Sequence, residues 1–254
     1  MTDIGCQPLS DRSGSLATKS RPMGEQEPRA AIDISLAEVT STLAARIRLY
    51  RWRRPTYQTA LLRSLRRGWR SSHKAVLDVG GGTGIIAQSV KDLFEVDRVV
   101  SIDVENRYLD SLDIETRTYD GRTLPFDDDT FDCVLLCNVL HHVPREARVA
   151  LLRECRRVTR RGTIYIKDHI AQSRLDHLRL MLLDVIGNVP FGGMVDASYL
   201  ETADWQSLAA ESGFRIDWQD CDRYRDGIMA GLFPNRLEVV MRWRDVARQP
   251  EVDR

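Results

Sequence analysis

The feature that most constrains the fold is an alternation of short apolar segments with helical segments between residues 75 and 167. Nearly continuous apolar strands that are separated by helices are typical of a parallel sheet covered on both faces. Right-handed crossovers then give a doubly wound α/β fold. Strands are predicted at Ala75–Val79, Arg98–Ile102, Ile114–Tyr119, Phe131–Cys137 and Thr163–Lys167, with helices at Gly84–Phe94 and Arg145–Val158.

The segments on either side of this alternation follow other patterns. Residues 1–30 are rich in Ser, Gly, Pro and charge, and we predict a disordered tail there. Residues 31–72 are Arg-rich with helical spacing, and Pro55 divides them into two helices. After residue 173 the pattern predicts helices at Leu175–Ile186 and Asp204–Ser212, followed by an antiparallel strand pair at Phe214–Trp218 and Leu237–Trp243.

A glycine-rich turn follows the first predicted strand. Gly80, Gly82 and Gly84 lie between this strand and its helix, where glycine permits a sharp turn and close approach of a ligand. Ligands of open α/β sheets bind at the carboxyl ends of the strands. Asp78, at the end of the strand, suits the ammonium group of an amino acid better than a diphosphate.

Two more carboxylates end the next two predicted strands. Asp103, followed by Val104, is placed to accept hydrogen bonds from both ribose hydroxyls of an adenosine. Asp120, followed by Gly121, is placed to accept from the exocyclic amine of adenine. Three carboxylates at successive strand ends therefore predict a site for an amine, a ribose and a base. The relaxed dinucleotide pattern, which here is Gly82-x-Gly84-x-x-Ala87, leaves a nicotinamide-dependent oxidoreductase as an alternative.

With these motifs the sequence resembles the class I S-adenosylmethionine-dependent methyltransferases, and most of all the small-molecule branch that includes the ubiquinone and menaquinone methyltransferases. The resemblance covers residues 76–167 well. It is carried by Asp78-x-Gly80-x-Gly82-x-Gly84, Asp103, Asp120, Leu124-Pro125-Phe126-Asp127, Phe131-Asp132 and Val139-Leu140-His141-His142-Val143.

The resemblance implies a Rossmann-like sheet of seven strands, mostly parallel with an antiparallel C-terminal strand, and S-adenosylmethionine lying across residues 80–84. Asp78 would lie near the methionine end, Asp103 at the ribose and Asp120 by the adenine, with Val104 and Gly121 also binding the cofactor. Asn138 would approach from the other side. Residues 31–72 would cover the active site, and residues 73–248 would form the methyltransferase domain with a substrate-shaping insert at about 173–203.

Methyl transfer is a direct displacement, in which orientation supplies much of the acceleration. A base is needed only for a weakly acidic acceptor. Among the five histidines, we select His169 as the candidate base, because it follows the fifth strand at the ligand-binding edge. His141 and His142 are expected to shape the loop beside the cofactor, and His73 and His177 to lie at the surface. No metal site is predicted.

The acceptor is expected to be a small, hydrophobic or metabolic molecule. An apolar run in the insert is interpreted mainly as core, with some members lining a substrate pocket. The loop at 188–193 is expected to close over the site, and Tyr199 and Trp205 to pack nearby. The run comprises Leu178, Leu180, Met181, Leu182 and Leu183.

The remaining expectations concern partners and location. The formal net charge is zero, which argues against nucleic acid as the main partner. The Arg-rich helices permit contact with a membrane surface, recruitment of RNA or protein substrates, or simply a solvated face. A non-catalytic cofactor-binding protein is the remaining alternative. No transmembrane segment or secretory signal is visible, so we expect a cytoplasmic protein. The acceptor atom (oxygen, nitrogen, sulfur or carbon) and the oligomeric state stay open.

Overall fold

The computed structural model describes residues 33–188 and 197–248. The predicted tail at 1–30 and the part of the predicted loop at 189–193 lie outside this range. The strands are β1 (Ala75–Val79), β2 (Arg98–Asp103), β3 (Glu115–Thr118), β4 (Phe131–Cys137), β5 (Thr159–His169), β6 (Phe214–Asp220) and β7 (Glu238–Asp245). The helices are α1 (Leu36–Arg46), α2 (Thr56–Gly68), α3 (Ile85–Leu93), α4 (Arg145–Val158), α5 (Arg174–Asn188), α6 (Thr202–Glu211) and α7 (Gly227–Leu232).

The strands form one seven-stranded sheet in the order β3-β2-β1-β4-β5-β7-β6. β1 pairs in parallel with β2 on one side and β4 on the other, so the direction of winding reverses between β1 and β4. β7 is antiparallel to both of its neighbours, β5 and β6. The predicted doubly wound, mostly parallel sheet with an antiparallel C-terminal strand is therefore confirmed, and its switch point lies beside the glycine-rich turn.

Two apolar layers cover the two faces of the sheet, because successive strand residues point to opposite sides. On one face Leu77 and Val134 join a buried cluster with α4 and α6. On the other face Val76 and Leu135 pack with residues of α1, α2 and α3. The N-terminal helices thus complete one face of the domain.

The termini of the N-terminal helices agree with the sequence signals. Ser35 and Glu38 form a reciprocal capping box at the start of α1. The chain then makes a short 3₁₀ turn at Arg48–Arg51, and α2 begins directly after Pro55. The predicted break at Pro55 is confirmed. Within the described ranges, no helix has the length and apolar content that crossing a bilayer requires.

Two expectations about exposure are wrong. His73 is buried, with Nε2 3.2 Å from the Tyr165 hydroxyl and its ring against Trp69. Burial lowers the pKa of His73 to about 3, so the ring is neutral.

In α5 the apolar run is not core: Leu180 is buried, but Leu178 and Met181 are about half exposed. Leu182 is likewise half exposed, and Leu183 is partly buried. An all-apolar stretch does not show which face of a helix meets the domain.

Candidate active site

The glycine-rich turn has the left-handed backbone that its composition predicts. Gly80, Gly82 and Gly84 have φ of 74°, 57° and 75°, a region that strongly favours glycine. A Cβ on Gly80 would lie 2.6 Å from Val139, so this glycine lets the turn approach the segment after β4. A Cβ on Gly82 would meet nothing within 4 Å. The backbone of the turn at Gly82 therefore borders open space that a ligand can enter.

Asp78 is a buried carboxyl for which the described residues supply no compensating cation. Its Oδ2 accepts a hydrogen bond of 2.7 Å from the Ser101 hydroxyl. Burial raises the pKa of Asp78 to about 7, and the like charge of Asp103 adds to the rise. Because an isolated buried carboxylate is costly, this position is complementary to a positively charged group, such as the ammonium of an amino acid.

Asp103 has a structural role that the sequence did not reveal. Its Oδ2 accepts a hydrogen bond of 2.7 Å from the Gly82 amide, and its Oδ1 accepts one of 3.1 Å from the Glu105 amide. Arg107 lies 3.7 Å from Oδ2. The carboxylate thus fastens the glycine turn to the end of β2. Each carboxylate oxygen has about two acceptor sites, so acceptor capacity is left for ribose hydroxyls.

Asp120 lies at the exposed rim of the same edge. Its Oδ1 accepts hydrogen bonds of 2.9 and 3.0 Å from the amides of Arg122 and Thr123. These bonds lower the pKa of Asp120. Val104, half exposed, adjoins Gly121, since a Cβ on that glycine would lie 3.1 Å from Val104 Cγ1. The residues predicted at the adenine side are therefore neighbours along one rim.

Asn138 follows β4 on the other side of the switch point. Its φ of 58° is unusual for a residue other than glycine. The backbone amide donates to the Lys167 carbonyl at 2.8 Å, and Nδ2 donates to the Tyr57 hydroxyl at 3.1 Å. Lys167 donates to Oδ1 of the same amide. Tyr57 and Lys167 are site residues that the sequence analysis missed.

A buried ion pair supports this side of the site. Lys167 and Glu238 are fully buried, with Nζ 2.6 Å from Oε2. Arg225 bonds to the other oxygen of Glu238. The Lys167 ammonium also lies over the rings of Tyr57 and Tyr224, 4.9 and 5.6 Å from their centroids. Although burial opposes ionisation, these cations hold the pKa of Glu238 well below its usual range, so the pair is charged.

His169, the predicted base, is the last residue of β5 and lies opposite Glu238 in the β5–β7 register. Its Nδ1 lies 3.1 Å from Glu238 Oε2, in an orientation that does not make a directed hydrogen bond. Its Nε2 lies 3.8 Å from Asp184 Oδ1. His169 is thus linked to Asn138 through Glu238 and Lys167.

His141 lies in a second group of polar residues beside His169. Its Nδ1 is 2.5 Å from Asp168 Oδ1, and its Nε2 is 3.5 Å from Asp184 Oδ2. Tyr199 donates to Asp184 Oδ2. Burial opposes protonation, but the Asp168 and Asp184 carboxylates raise the pKa of His141. Burial also opposes the ionisation of Asp168, but His141 lowers its pKa to about 2. Sequence reasoning missed Asp184 because it lies in an apolar helix far along the chain.

Comparison with known proteins identifies the central part of the chain as a methyltransferase domain. Residues 77–166 match a family model that is described as a methyltransferase domain. A curated relative, flavonoid 4'-O-methyltransferase from Glycine max, is 23% identical over 146 residues, which are 56% of this chain and 41% of that protein. The chain therefore spans about two fifths of the length of this relative.

Solved structures with a similar fold are numerous. A methyltransferase in complex with the Trm112 activator of Haloferax volcanii aligns with a TM-score of 0.57 and 16% identity, over 85% of this chain and all of that one. The mitomycin 7-O-methyltransferase MmcR aligns with a TM-score of 0.52 and 17% identity, and the alignment covers 83% of this chain and 54% of MmcR. An S-adenosylmethionine-dependent methyltransferase from Methanosarcina mazei aligns with a TM-score of 0.51 and 19% identity, and the alignment covers 71% of this chain and 96% of that one.

These structures share the fold of the chain, and the family match falls on the glycine turn and the strands around it. The narrower resemblance to the ubiquinone and menaquinone methyltransferases stays a prediction. The domain match over residues 77–166, the sheet order and the structural neighbours together support a class I S-adenosylmethionine-dependent methyltransferase fold for this part of the chain.

Proposed function

We propose that the protein transfers a methyl group from S-adenosylmethionine to a small acceptor molecule. The observation that carries the proposal is the buried Asp78 carboxyl, which meets no cation from residues 33–188 and 197–248 and lies at the foot of an open glycine turn. A diphosphate would meet a negative charge there, which counts against the nicotinamide alternative. The ammonium group of a methionine moiety would supply the missing positive charge.

When bound, S-adenosylmethionine supplies an electrophilic methyl group on a positively charged sulfur. The protein holds and orients the reactants. Asp78 accepts from the ammonium, and the remaining acceptor capacity of Asp103 binds the ribose hydroxyls. Val104, Asp120 and Gly121 line the adenine end. The Asn138 amide, fixed by Tyr57 and Lys167, approaches from the opposite side.

A small hydrophobic molecule with a hydroxyl group is the acceptor that the comparisons favour. Both the Glycine max relative and MmcR are named as O-methyltransferases of small molecules. The half-exposed apolar residues of α5, which lie in the proposed substrate-shaping insert at 173–203, suit such an acceptor. Tyr57 ties the N-terminal helices at 31–72 to the same site.

His169 is the proton acceptor in this proposal. Glu238 lies beside Nδ1 and favours a proton on that nitrogen, so the lone pair of Nε2 is left to receive the proton of an acceptor hydroxyl.

The free cysteines of the described chain support a reducing, cytoplasmic location. They are Cys133, Cys137, Cys155 and Cys221.

The test combines binding and turnover. Titration calorimetry with S-adenosylmethionine and S-adenosylhomocysteine should give micromolar-range affinity, which Asp103→Ala should weaken sharply. Asp97→Ala is the matched control, because Asp97 is an exposed residue before the opposite end of β2. A panel of phenolic acceptors should then yield methylated product. Binding without turnover across broad panels would favour the non-catalytic alternative, and no binding would refute the proposal.

A membrane contact has its own supporting observation. Part of the Arg-rich stretch is tied down inside the molecule, because Arg46 bonds to Ser111 and Arg67 bonds to Asp220. The turn at 48–54 differs: Trp52 is 90% exposed and is flanked by exposed arginines. These are Arg48, Arg51, Arg53 and Arg54. We infer that this turn binds an anionic membrane surface.

Co-sedimentation with vesicles that contain phosphatidylserine tests this contact. Wild type should bind and Arg51→Ala/Trp52→Ser should not, whereas vesicles of phosphatidylcholine alone should bind neither. Binding of RNA with a steep salt dependence, and no binding of vesicles, would instead support the RNA methyltransferase alternative.

A further inference from the structure

The buried polar cluster at the ends of β4 and β5 includes His141 and Asp184, to which the proposed methyl transfer gives no role. His141, His169 and Asp184 are all buried, and one donor atom from each lies within 4.8 Å of the others. They come from three elements: the segment after β4, the end of β5, and α5. Two imidazole nitrogens and one carboxylate oxygen form a donor set that first-row divalent cations prefer.

Two imidazole nitrogens of the cluster make no hydrogen bond with any described residue: His141 Nε2, and His169 Nδ1 beside Glu238. His141 Nε2 is completely buried and makes no hydrogen bond with any residue that the structure describes. Its neighbour is Asp184 Oδ2, 3.5 Å away. Buried polar nitrogens are nearly always satisfied, so an orphaned nitrogen that points at a carboxylate indicates a missing partner between them.

A carboxylate adjoins the second nitrogen of each imidazole, as is typical of metal-binding histidines, and the one from Asp168 bonds to its ring. Asp168 holds Nδ1 of His141 at 2.5 Å, and Glu238 lies 3.1 Å from Nδ1 of His169. Histidine ligands typically present their second nitrogen to a carboxylate, which fixes the ring and makes the ligating nitrogen more basic. Both rings therefore turn Nε2 toward Asp184, and Tyr199 holds that carboxylate through Oδ2.

One of the two measured distances matches that expected for ligands of a shared cation, and the other is slightly longer. Ligand atoms about 2.0–2.2 Å from one metal ion in a tetrahedral arrangement lie roughly 3.3–3.6 Å apart. His141 Nε2 is 3.5 Å from Asp184 Oδ2, and His169 Nε2 is 3.8 Å from Asp184 Oδ1. We propose that His141, His169 and Asp184 bind one divalent transition-metal cation, with Asp168 and Glu238 as orienting carboxylates.

His169 has a different role when the cation is present. Nε2 is then a ligand, and an acceptor hydroxyl that reaches the cation loses its proton more readily because the charge lowers its pKa. The general-base role described above applies to the cation-free protein. The binding itself does not rest on methyl transfer.

The experiment measures binding alone. The full chain is freed of metal with a chelator and titrated with Zn²⁺ in a calorimeter, without S-adenosylmethionine. Wild type should bind one equivalent. Asp184→Asn, close in shape to wild type, should bind roughly 100-fold more weakly or worse, and Asp168→Asn should lose about 10- to 100-fold through its effect on His141. His177→Ala, half-buried near Tyr199 but outside the cluster, is the matched control and should bind as wild type does.

Two further measurements keep the test decisive. Circular dichroism confirms that each variant is folded, and Co²⁺ absorption distinguishes nitrogen and oxygen ligands from thiolates. Cys221→Ser should retain binding, since no cysteine is among the proposed ligands. Absence of stoichiometric binding, or binding that survives Asp184→Asn but is lost in Cys221→Ser, would overturn the proposal.

The outcome is separable from that of the proposed function. One equivalent of Zn²⁺ bound by a protein that ignores S-adenosylmethionine would support the cation site and refute methyl transfer. A protein that binds no cation but methylates phenols at full rate would support methyl transfer and refute the cation site.

Discussion

The two halves of the ligand-binding edge are built on different physical principles. At the ends of β1, β2 and β3, the carboxylates of Asp78, Asp103 and Asp120 bond to a hydroxyl or to backbone amides. At the ends of β4 and β5 and the start of β7, the charges compensate one another inside the protein, as in the buried pair of Lys167 and Glu238.

The difference shows which side keeps capacity for a ligand. Carboxylates that accept from backbone amides still carry net negative charge, and they can take further donors from an ammonium or a ribose. On the β4–β5–β7 side, Lys167, Glu238 and Arg225 form a closed network in which each charge fixes another side chain. This network positions Asn138 and His169, and its loss should harm the fold before it harms the affinity for S-adenosylmethionine.

The largest loss of stability is expected when the closed network around Lys167 and Glu238 is broken. Lys167→Met leaves Glu238 buried beside one cation fewer, and breaking a buried pair costs about 3–5 kcal/mol of unfolding free energy. Urea unfolding measures the loss. Lys74→Met is the control, because Lys74 is exposed and its ammonium group bonds to the Glu95 carbonyl at the surface, and it should change stability by no more than about 0.5 kcal/mol. Equal stability of the two variants would show that the network is not essential.

A smaller effect is expected where a carboxylate fastens the glycine turn. Asp103→Ala removes the acceptor of the Gly82 amide, and a hydrogen bond to a charged group contributes about 1.5–3 kcal/mol. The variant should lose about this much stability in urea without ligand. Asp120→Ala breaks only an exposed turn and should cost less. A larger loss for Asp120 than for Asp103 would contradict the assignment of Asp103 as the anchor.

The pH dependence of ligand binding tests Asp78. Because its pKa is raised from 3.8 to about 7, the carboxyl stabilises the free protein at low pH, and this contribution is lost as the pH rises through 7. An ammonium ligand requires the ionised form, so its affinity should rise up to about tenfold per pH unit below pH 7. It should fall again above about pH 8, where an α-amino group loses its proton.

Calorimetry with S-adenosylhomocysteine between pH 5.5 and 9 measures this profile, using the full chain and Asp78→Asn. In Asp78→Asn the affinity should no longer rise with pH below pH 7. Without ligand, this variant should be more stable than wild type at pH 8. An affinity that is flat in wild type between pH 5.5 and 7 would rule out the pairing of Asp78 with the ammonium.

The smallest effect on stability is expected at Trp52, which lies outside both halves of the ligand-binding edge. Trp52→Ser removes a side chain that contacts little of the folded protein, so the free energy of unfolding should change by no more than about 0.5 kcal/mol. Thermal unfolding checks this, and the same variant should lose vesicle binding. A large destabilisation would show that Trp52 is buried in solution, and would remove the basis of the membrane proposal.

Local patterns in the sequence determined much of the fold. The predicted bounds of β1, β4 and α4 are those observed, because continuous apolar runs and helical spacing are set by neighbouring residues. β5 is longer than predicted, since Thr159–Arg161 and Asp168–His169 are polar yet pair with adjacent strands. The six-residue helix α7 carried no clear signal and was not predicted.

The sequence by itself determined the glycine turn and the strand-end acids, because motif spacing and strand ends are local properties and a parallel sheet gathers those ends at one edge. Only the tertiary structure decided the pairing of Lys167 with Glu238, the burial of His73, and the meeting of His141, His169 and Asp184. These depend on strand register and on which face of α5 meets the domain. No local pattern encodes such long-range geometry.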